Sequence, residues 1–494
     1  MLTRRKFMKI AGVGVGAFTL SSCGLWPMNE QQYPAQTLPA FPRAASTGKV
    51  HEYTFRAAPA NFVLNGNMVS TWAYNGVLPG PEIRLVEGDT LRVKVNNRLP
   101  EGTTIHWHGV PLINKMDGVP DVTQTAIPAG QDFTYEFVVP TAGTYFYHSH
   151  VGLQSDRGLY GSLVVDSAKE QKNYDHDFAL VLDDWLDGLP GTPEDAMKKL
   201  IAGGDRMNMG DMGNMGNMNG MGNMPAKQVA PDIVYPTYLI NGKSSDIPFE
   251  MNLSQGQRAR LRFINASAST IFRVALQGHR MTVTHTDGQP VEPVDVDALR
   301  IGIGERYDVL VTATNPGVWQ LAAQVEGADS MVRGIFRYKR STSQTPPPTF
   351  MPPELSRQML QYTMLKAAHG ATVPPNKNPD TTVPIQLSGG MGQYVWKINN
   401  QVFSKAEPII VERNRLIRFQ MSTTSMMPHP MHLHGHFFQM DNGTGRGPLK
   451  DTMLIDPGQK MTLNWISDNP GSWVFHCHNR YHEEAGMMRV VKVQ

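Results

Sequence analysis

The chain has 494 residues, of which 18% are charged, and a formal net charge of +2. That near-neutral balance, with no run of like charges, excludes an electrostatic nucleic-acid surface, and the length allows two to four domains of roughly 100–200 residues. Glycine (46) and proline (36) are abundant, as in chains of short strands joined by turns, while two cysteines are too few for a disulfide framework.

The N-terminus reads as an export signal. Thr3-Arg4-Arg5-Lys6-Phe7-Met8-Lys9 has the twin-arginine pattern, and a weakly apolar stretch follows over 10–20. Leu20-Ser21-Ser22-Cys23 then resembles a lipoprotein cleavage box, which would make Cys23 the lipidated first residue of a mature periplasmic protein. The alternative is an ordinary cleaved signal that contains a cysteine. The apolar stretch is too short to span a bilayer, which takes about 20 apolar residues, so Cys23 is the expected point of any membrane attachment.

Downstream, one pattern occurs three times. Asn75-Gly76 precedes a strand-like run over 88–96, Asn241-Gly242 one over 256–265, and Asn399-Asn400 one over 414–420. Each is a turn followed by residues largely alternating apolar and polar, the period of a strand. A second repeated strand follows in each unit: GTYFYHSH at 143–150, GVWQLAAQ at 317–324 and GSWVFHCH at 471–478. This predicts an all-β protein of three β-sandwiches, with a signal and linker over 1–45 and domains over 46–168, 169–345 and 346–494. Helix should be scarce. Thr192 as N-cap, Pro193 and two acids predict a short helix to about residue 200, and a second is expected over about 353–365.

The segment 205–225 differs in kind. Met207, Met209, Met212, Met215, Met218, Met221 and Met224 alternate with glycine and asparagine, a composition that forms no stable helix or strand by itself. Thioether sulfur is a soft ligand that selects Cu(I) over harder ions.

Histidine carries the chemistry. It clusters as His106-Trp107-His108-Gly109, as His148-Ser149-His150, over 429–436 in HPMHLHGH, and as His476-Cys477-His478 followed by His482 and Met487. On a strand, residues two apart face the same side, so each HxH pair can offer two imidazoles to one metal cluster between the first and third units. The middle unit is an internal control. It has Ala322 and Gln324 where the others have histidine pairs, and Gln277 opposite His108 and His434. The scaffold therefore does not require these histidines. By the same comparison His436 matches His279 of the metal-free unit, and both are read as structural.

These strings resemble the four copper-binding motifs of the multicopper oxidases, the family of laccases and bacterial copper-efflux oxidases, and the likeness spans all three units. It implies three cupredoxin-like Greek-key domains and four copper ions as cofactors. Carried over by position, it makes His429, Cys477 and His482 type 1 copper ligands with Met487 axial. His106 and His432 match the type 2 ligands, and His108, His148, His150, His434, His476 and His478 those of the type 3 pair. Electrons would pass from Cys477 to its histidine neighbours, and dioxygen would be reduced to water. Asp117 and Glu483 match the family's proton-relay acids; the plainer readings are an Asp-Gly turn and a solvated surface acid.

The electron donor is open. The Met-rich stretch is similar to those of cuprous oxidases and copper-resistance proteins, although it lies in the second unit rather than the third. Met427 stands where copper-efflux oxidases place a substrate-binding methionine, but Ser425 replaces the expected acid, and Met426, Met427 and Met431 can equally be packing residues. Expected, then, is a monomeric enzyme coupling oxidation of a small reductant, Cu(I) first, to oxygen reduction in copper tolerance. The alternatives are a laccase-like phenol or Fe(II) oxidase and a periplasmic copper-sequestering protein.

Overall fold

The structure is a computed structural model that describes residues 43–203, 231–368, 373, 377–390 and 392–494. The leader, Cys23 and the methionines over 207–224 lie outside the described residues. The described residues form six sheets that pack as three successive pairs. In the first pair, the sheet containing Val50–Leu64 and Thr90–Asn97 faces one whose last members are Gly143–His148 and His106–His108. The second pairs six strands around Arg258–Asn265 with five around Val318–Val325, and the third pairs six around Leu416–Thr423 with five around Gly471–Cys477.

The sequence repeat has a structural counterpart in each pair. The opening strand lies parallel to a later one: Val50 beside Thr90, His176 beside Ala259, and Thr381 beside Ile417. The repeated asparagines explain the turns between. Asn75, Asn241 and Asn399 all adopt left-handed φ, of 55°, 50° and 52°, a conformation asparagine tolerates better than most residues. Each side chain then bridges back to the opening strand. Their Oδ1 atoms accept the backbone N–H of Arg56, Val181 and Gln386 at 2.6, 2.8 and 2.7 Å.

Between the paired sheets the alternating apolar residues close three separate cores. A Val, Leu or Phe fully buried in this way contributes roughly 1.5–3 kcal/mol. The third core takes in Cys477 and Met487 along with Trp396 and Trp473. The units are joined by buried charge: Arg262 of the middle unit bonds Asp177 and Asp308 and reaches Thr144 of the first at 2.9 Å.

Among the described residues, α-helix is confined to Pro193–Ile201, capped by Thr192 as expected, and Arg480–Glu484. The helix expected over 353–365 is instead two short 3₁₀ turns, Pro353–Ser356 and Tyr362–Met364. The intervening backbone is drawn to the middle unit: Asp297 N–H donates to Gln358 O, and Leu360 N–H to Ala298 O. Those bonds compete with a continuous helical ladder. No helix among the described residues is long and apolar enough to cross a membrane.

Candidate metal centre

Two histidine pairs lie on strand or at its end in the first unit, and two in the third, and the packing of these units brings eight imidazoles together. His106–His108 pairs antiparallel with Gly143–His148, while His429–Leu433 pairs with Gly471–Cys477. His150, His434 and His478 lie just past the ends of their strands, so alternation alone does not aim them. Rings from the two units stack: His106 on His434 at 3.7 Å, and His108 on His432 at 3.8 Å. Three triads have ligand atoms within 4.8 Å of one another: His106, His432 and His434; His106, His108 and His148; His150, His434 and His476. His478 lies beside them, its ring 4.7 Å from His108 and 5.1 Å from His148.

The hydrogen bonds leave nitrogens aimed inward. His106, His148 and His476 direct Nδ1 at the carbonyls of Asp117, Ser149 and Cys477, and His432 at that of Asp451, 2.9–3.1 Å away. With Nδ1 donating, Nε2 is a bare acceptor. Nε2 of His106, His148, His150, His432 and His478, and Nδ1 of His108, are buried without a hydrogen-bond partner. His434 and His476 place their Nε2 atoms 3.0 Å apart, although both donate through Nδ1, so two lone pairs confront each other. Buried acceptors so arranged need a cation. Burial also pushes the imidazoles of His108, His148, His150, His434 and His478 well below the usual histidine range, which keeps them neutral and able to ligate.

A second pocket lies across Cys477. His429 Nδ1 and His482 Nδ1 are 3.1 Å apart, and Cys477 Sγ is 3.6 and 3.5 Å from them. A triangle of that size holds an ion about 2 Å from each corner, the range of metal–nitrogen and metal–thiolate bonds. Burial pushes the Cys477 thiol well above its ordinary pKa, so a thiolate here requires a neighbouring cation. The histidines are oriented from behind. His429 Nε2–H donates to Ser425 Oγ at 2.6 Å, so the serine found in place of an acid serves as an acceptor for this ring. His482 Nε2–H donates to Asp232 Oδ2 at 2.5 Å. Asn479 caps the helix carrying His482, accepting the N–H groups of Tyr481 and His482, and the ring of Trp396 packs 4.0 Å from His482. Met487 is fully buried in the same core as Cys477.

Both expected acids border the histidine cluster. Asp117 is fully buried, its Oδ2 accepting from His434 Nδ1 at 2.9 Å while Oδ1 lies 3.3 Å from His106 Nδ1. Glu483 is buried, not solvated. Its Oε2 accepts from Arg480 and lies 3.1 Å from His476 Nδ1, and Oε1 lies 3.5 Å from His150 Nε2. Burial alone would raise the Glu483 carboxyl, but Arg480 and His476 hold it below the usual range. His279 and His436 belong to none of the ligand groups found among the described residues. His279 instead bridges Gln277 O and Tyr338 Oη at 2.9 and 2.8 Å.

Met427 is partly buried and lines a small cleft with Asp232, Glu326 and Asn479. Sequence reasoning missed Asp232, Arg306 and Asp451, whose partners are distant in sequence and which no spacing marks; Ser425 is legible there only as the residue in place of an acid, not as the partner of His429.

A His₂Cys pocket linked through one cysteine to an eight-histidine cluster, on three β-sandwich units, defines a copper protein with an electron-transfer site beside a multinuclear one. Three family models described as multicopper oxidase match residues 57–170, 177–341 and 376–494, and the chain belongs to the multicopper oxidase family. Its relatives include the multicopper oxidase MmcO of Mycobacterium tuberculosis, 40% identical over 98% of this chain and 96% of that protein. Copper resistance protein A of Escherichia coli is 28% identical over 100% of this chain and 99% of its own length. Among solved structures, the laccase of Botrytis aclada superimposes with a TM-score of 0.74 at 25% identity, covering 91% of this chain and 88% of that one. The enzyme is thus a copper-dependent oxidoreductase of cupredoxin-like fold. Its cofactors are type 1, type 2 and type 3 coppers, and its co-substrates are dioxygen and a reductant.

Proposed function

We propose that the reductant is Cu(I) and that the chain is an exported cuprous oxidase acting in copper tolerance. In this reading His429, Cys477, His482 and Met487 hold type 1 copper, and His106 and His432 hold type 2. His108, His148, His150, His434, His476 and His478 hold the type 3 pair. The bound coppers supply one-electron redox chemistry at the thiolate and four-electron reduction of dioxygen at the other three.

The protein groups then have separate tasks. Asp117 and Glu483 relay protons as carboxylates beside the histidine cluster, and Cys477 joins the two sites through its own backbone to His476 and His478. Domains over 46–168, 169–345 and 346–494 hold these parts together. Arg4-Arg5 directs twin-arginine export to the periplasm, Cys23 supplies a lipid anchor, and the enzyme works as a monomer.

The observation that carries the donor assignment is the cleft beside His482. Met427, with its soft thioether, lines that cleft together with Asp232, whose carboxylate bonds the His482 ring directly. Asp232 follows the last methionine of the Met-rich stretch by eight positions, so soft ligands precede the electron-entry site along the chain. The name of the copper resistance relatives agrees with this role. The test is oxygen uptake by the copper-loaded chain with Cu(I) or a dimethoxyphenol as donor, using Cys477→Ser to subtract autoxidation. A far larger kcat/KM for Cu(I) supports the reading. A preference for the phenol makes the enzyme laccase-like and refutes it.

A further inference from the structure

We propose that Asp451, clamped by Arg306 of the middle unit, is a positioning residue that fixes the His108 imidazole with Nδ1 toward the metal cluster. The inference rests on the reading of His108 as a copper ligand, and it gives the metal-free middle unit a role in the centre.

His108 is bound the opposite way from its neighbours. His106, His148, His432, His434 and His476 each use Nδ1 as the hydrogen-bonding nitrogen, which leaves Nε2 for a metal. His108 instead has Nε2 at 3.2 Å from Asp451 Oδ1 and 3.0 Å from Thr452 Oγ1, and its Nδ1 is unpartnered. Which nitrogen of a ligating histidine carries the proton is set by the bond the other one makes. Two oxygens on Nε2 fix the proton there. Without them the buried ring is free to carry its proton on Nδ1, where it blocks ligation.

Asp451 has no freedom to leave. It is fully buried, Arg306 Nη1 donates to its Oδ1 at 2.7 Å, and Nη2 donates to its Oδ2. Arg306 is itself fully buried and anchored through Nε to Thr144 O at 3.0 Å and through Nη1 to Gly304 O at 2.8 Å. Asp287, also of the middle unit, accepts the backbone N–H of Asp451 and of Thr452 at 3.2 and 3.1 Å and that of Arg306 at 2.9 Å. Lys450 Nζ closes the ring of charges, 3.0 Å from Asp287 and from Glu305.

The backbone makes room for this clamp. Gly109, at φ +83°, follows His108, and a Cβ there would lie 2.4 Å from Arg306 Nη2 and 2.5 Å from Asp451 Oδ2. Gly304, at φ +84°, lets the middle unit approach so closely that a Cβ would come within 3.0 Å of both His108 and His478. An inert spacer would need neither approach.

The experiment loads Asp451→Asn and Asp451→Ala with copper. It reads copper per chain, the electron paramagnetic resonance of the type 2 copper and the blue absorption of the Cys477 site. Loss of an outer partner typically weakens metal affinity 10–100-fold. Asparagine still offers His108 an acceptor, so the expected losses at the histidine cluster are about 10-fold for Asp451→Asn and about 100-fold for Asp451→Ala, with the blue absorption unchanged. If the alanine variant does not fold, the asparagine variant decides. A blue variant with full copper and an unaltered resonance overturns the proposal, as does parallel loss of blue and cluster copper, which marks a general scaffold role. His108→Gln separates the two levels: if it keeps full copper, the ligand reading itself is wrong.

Discussion

Asp232 Oδ2 accepts the Nε2–H of His482 at 2.5 Å across 250 positions of sequence, from the middle unit to the third. Tyr394 Oη donates to the same oxygen at 3.0 Å, and Asn479 Nδ2 lies 3.4 Å from it. A carboxylate on the far nitrogen of a ligating imidazole makes that ring a stronger donor and favours the more highly charged state of the metal. The same carboxylate sits in the cleft lined by Met427, so on the Cu(I) reading one side chain would both tune the site and attract the cation.

Asp232→Asn should therefore raise the type 1 potential and raise KM for Cu(I) about 10-fold, the lower range for loss of an outer partner. The potential is read by redox titration of the blue band, and KM by oxygen uptake. An unchanged potential would show that Asp232 does not act through His482.

Cys477→Ser should abolish the blue absorption and the turnover of every donor, because Cys477 supplies the thiolate of the His429–Cys477–His482 group and lies between His476 and His478 in sequence. Blue colour retained in this variant would refute the type 1 assignment.

The proton route can be probed without touching any ligand. Asp117→Asn and Glu483→Gln each remove an acid that borders two histidines, and positioned acid–base groups typically contribute 10²–10⁴-fold. The expected result is a fall in kcat of about 10²-fold with the blue absorption intact. A change confined to KM for the donor would place both acids outside the proton path.

The repeat made the architecture legible, because the same asparagine turn and the same parallel opening strand recur in each unit. The histidine clusters were equally legible, since HxH spacing and the histidine-poor middle unit together pick them out. What orients those side chains was not. Strand pairing sets Thr452 opposite His432 and Ala298 opposite Ala275, so Asp297 of the middle unit stands where Asp451 stands in the third. A comparison that flags residues the middle unit lacks passes over an aspartate it shares. Arg306 and Asp232 act across unit boundaries, and one sequence carries no signal for such contacts. The missing helix over 353–365 has the same origin, since its backbone bonds to the middle unit's Asp297 and Ala298.

Acid should loosen the join between the first and middle units. Asp308 is fully buried between Arg260 and Arg262. Burial alone would raise its carboxyl, but the two arginines and His285 bring it down to about 2. A folded-state pKa below the unfolded value near 3.9 contributes stability that is complete above that value and is lost as pH falls through the folded one. The window is therefore about pH 4 to 2, and the contribution is about 2 kcal/mol. The difference in melting temperature between the parent and Asp308→Asn should shrink across that window, measured by thermal unfolding at stepped pH. A constant difference would mean that Asp308 is not a charged partner of the arginines.

Deleting 207–224 separates the donor classes. The segment brings seven methionines, and Asp232, eight positions after the last of them, touches His482. Soft thioethers bind Cu(I) and have little affinity for a phenol. If the segment collects the metal donor, its loss raises KM for Cu(I) while kcat/KM for dimethoxyphenol holds or rises, because nothing that recognises the phenol has been removed. The oxygen-reducing site is untouched in either case, so the phenol reaction also reports whether the shortened chain is folded and fully metallated. Equal losses with both donors would point to damage at the shared centre and remove the argument for a dedicated Cu(I) role.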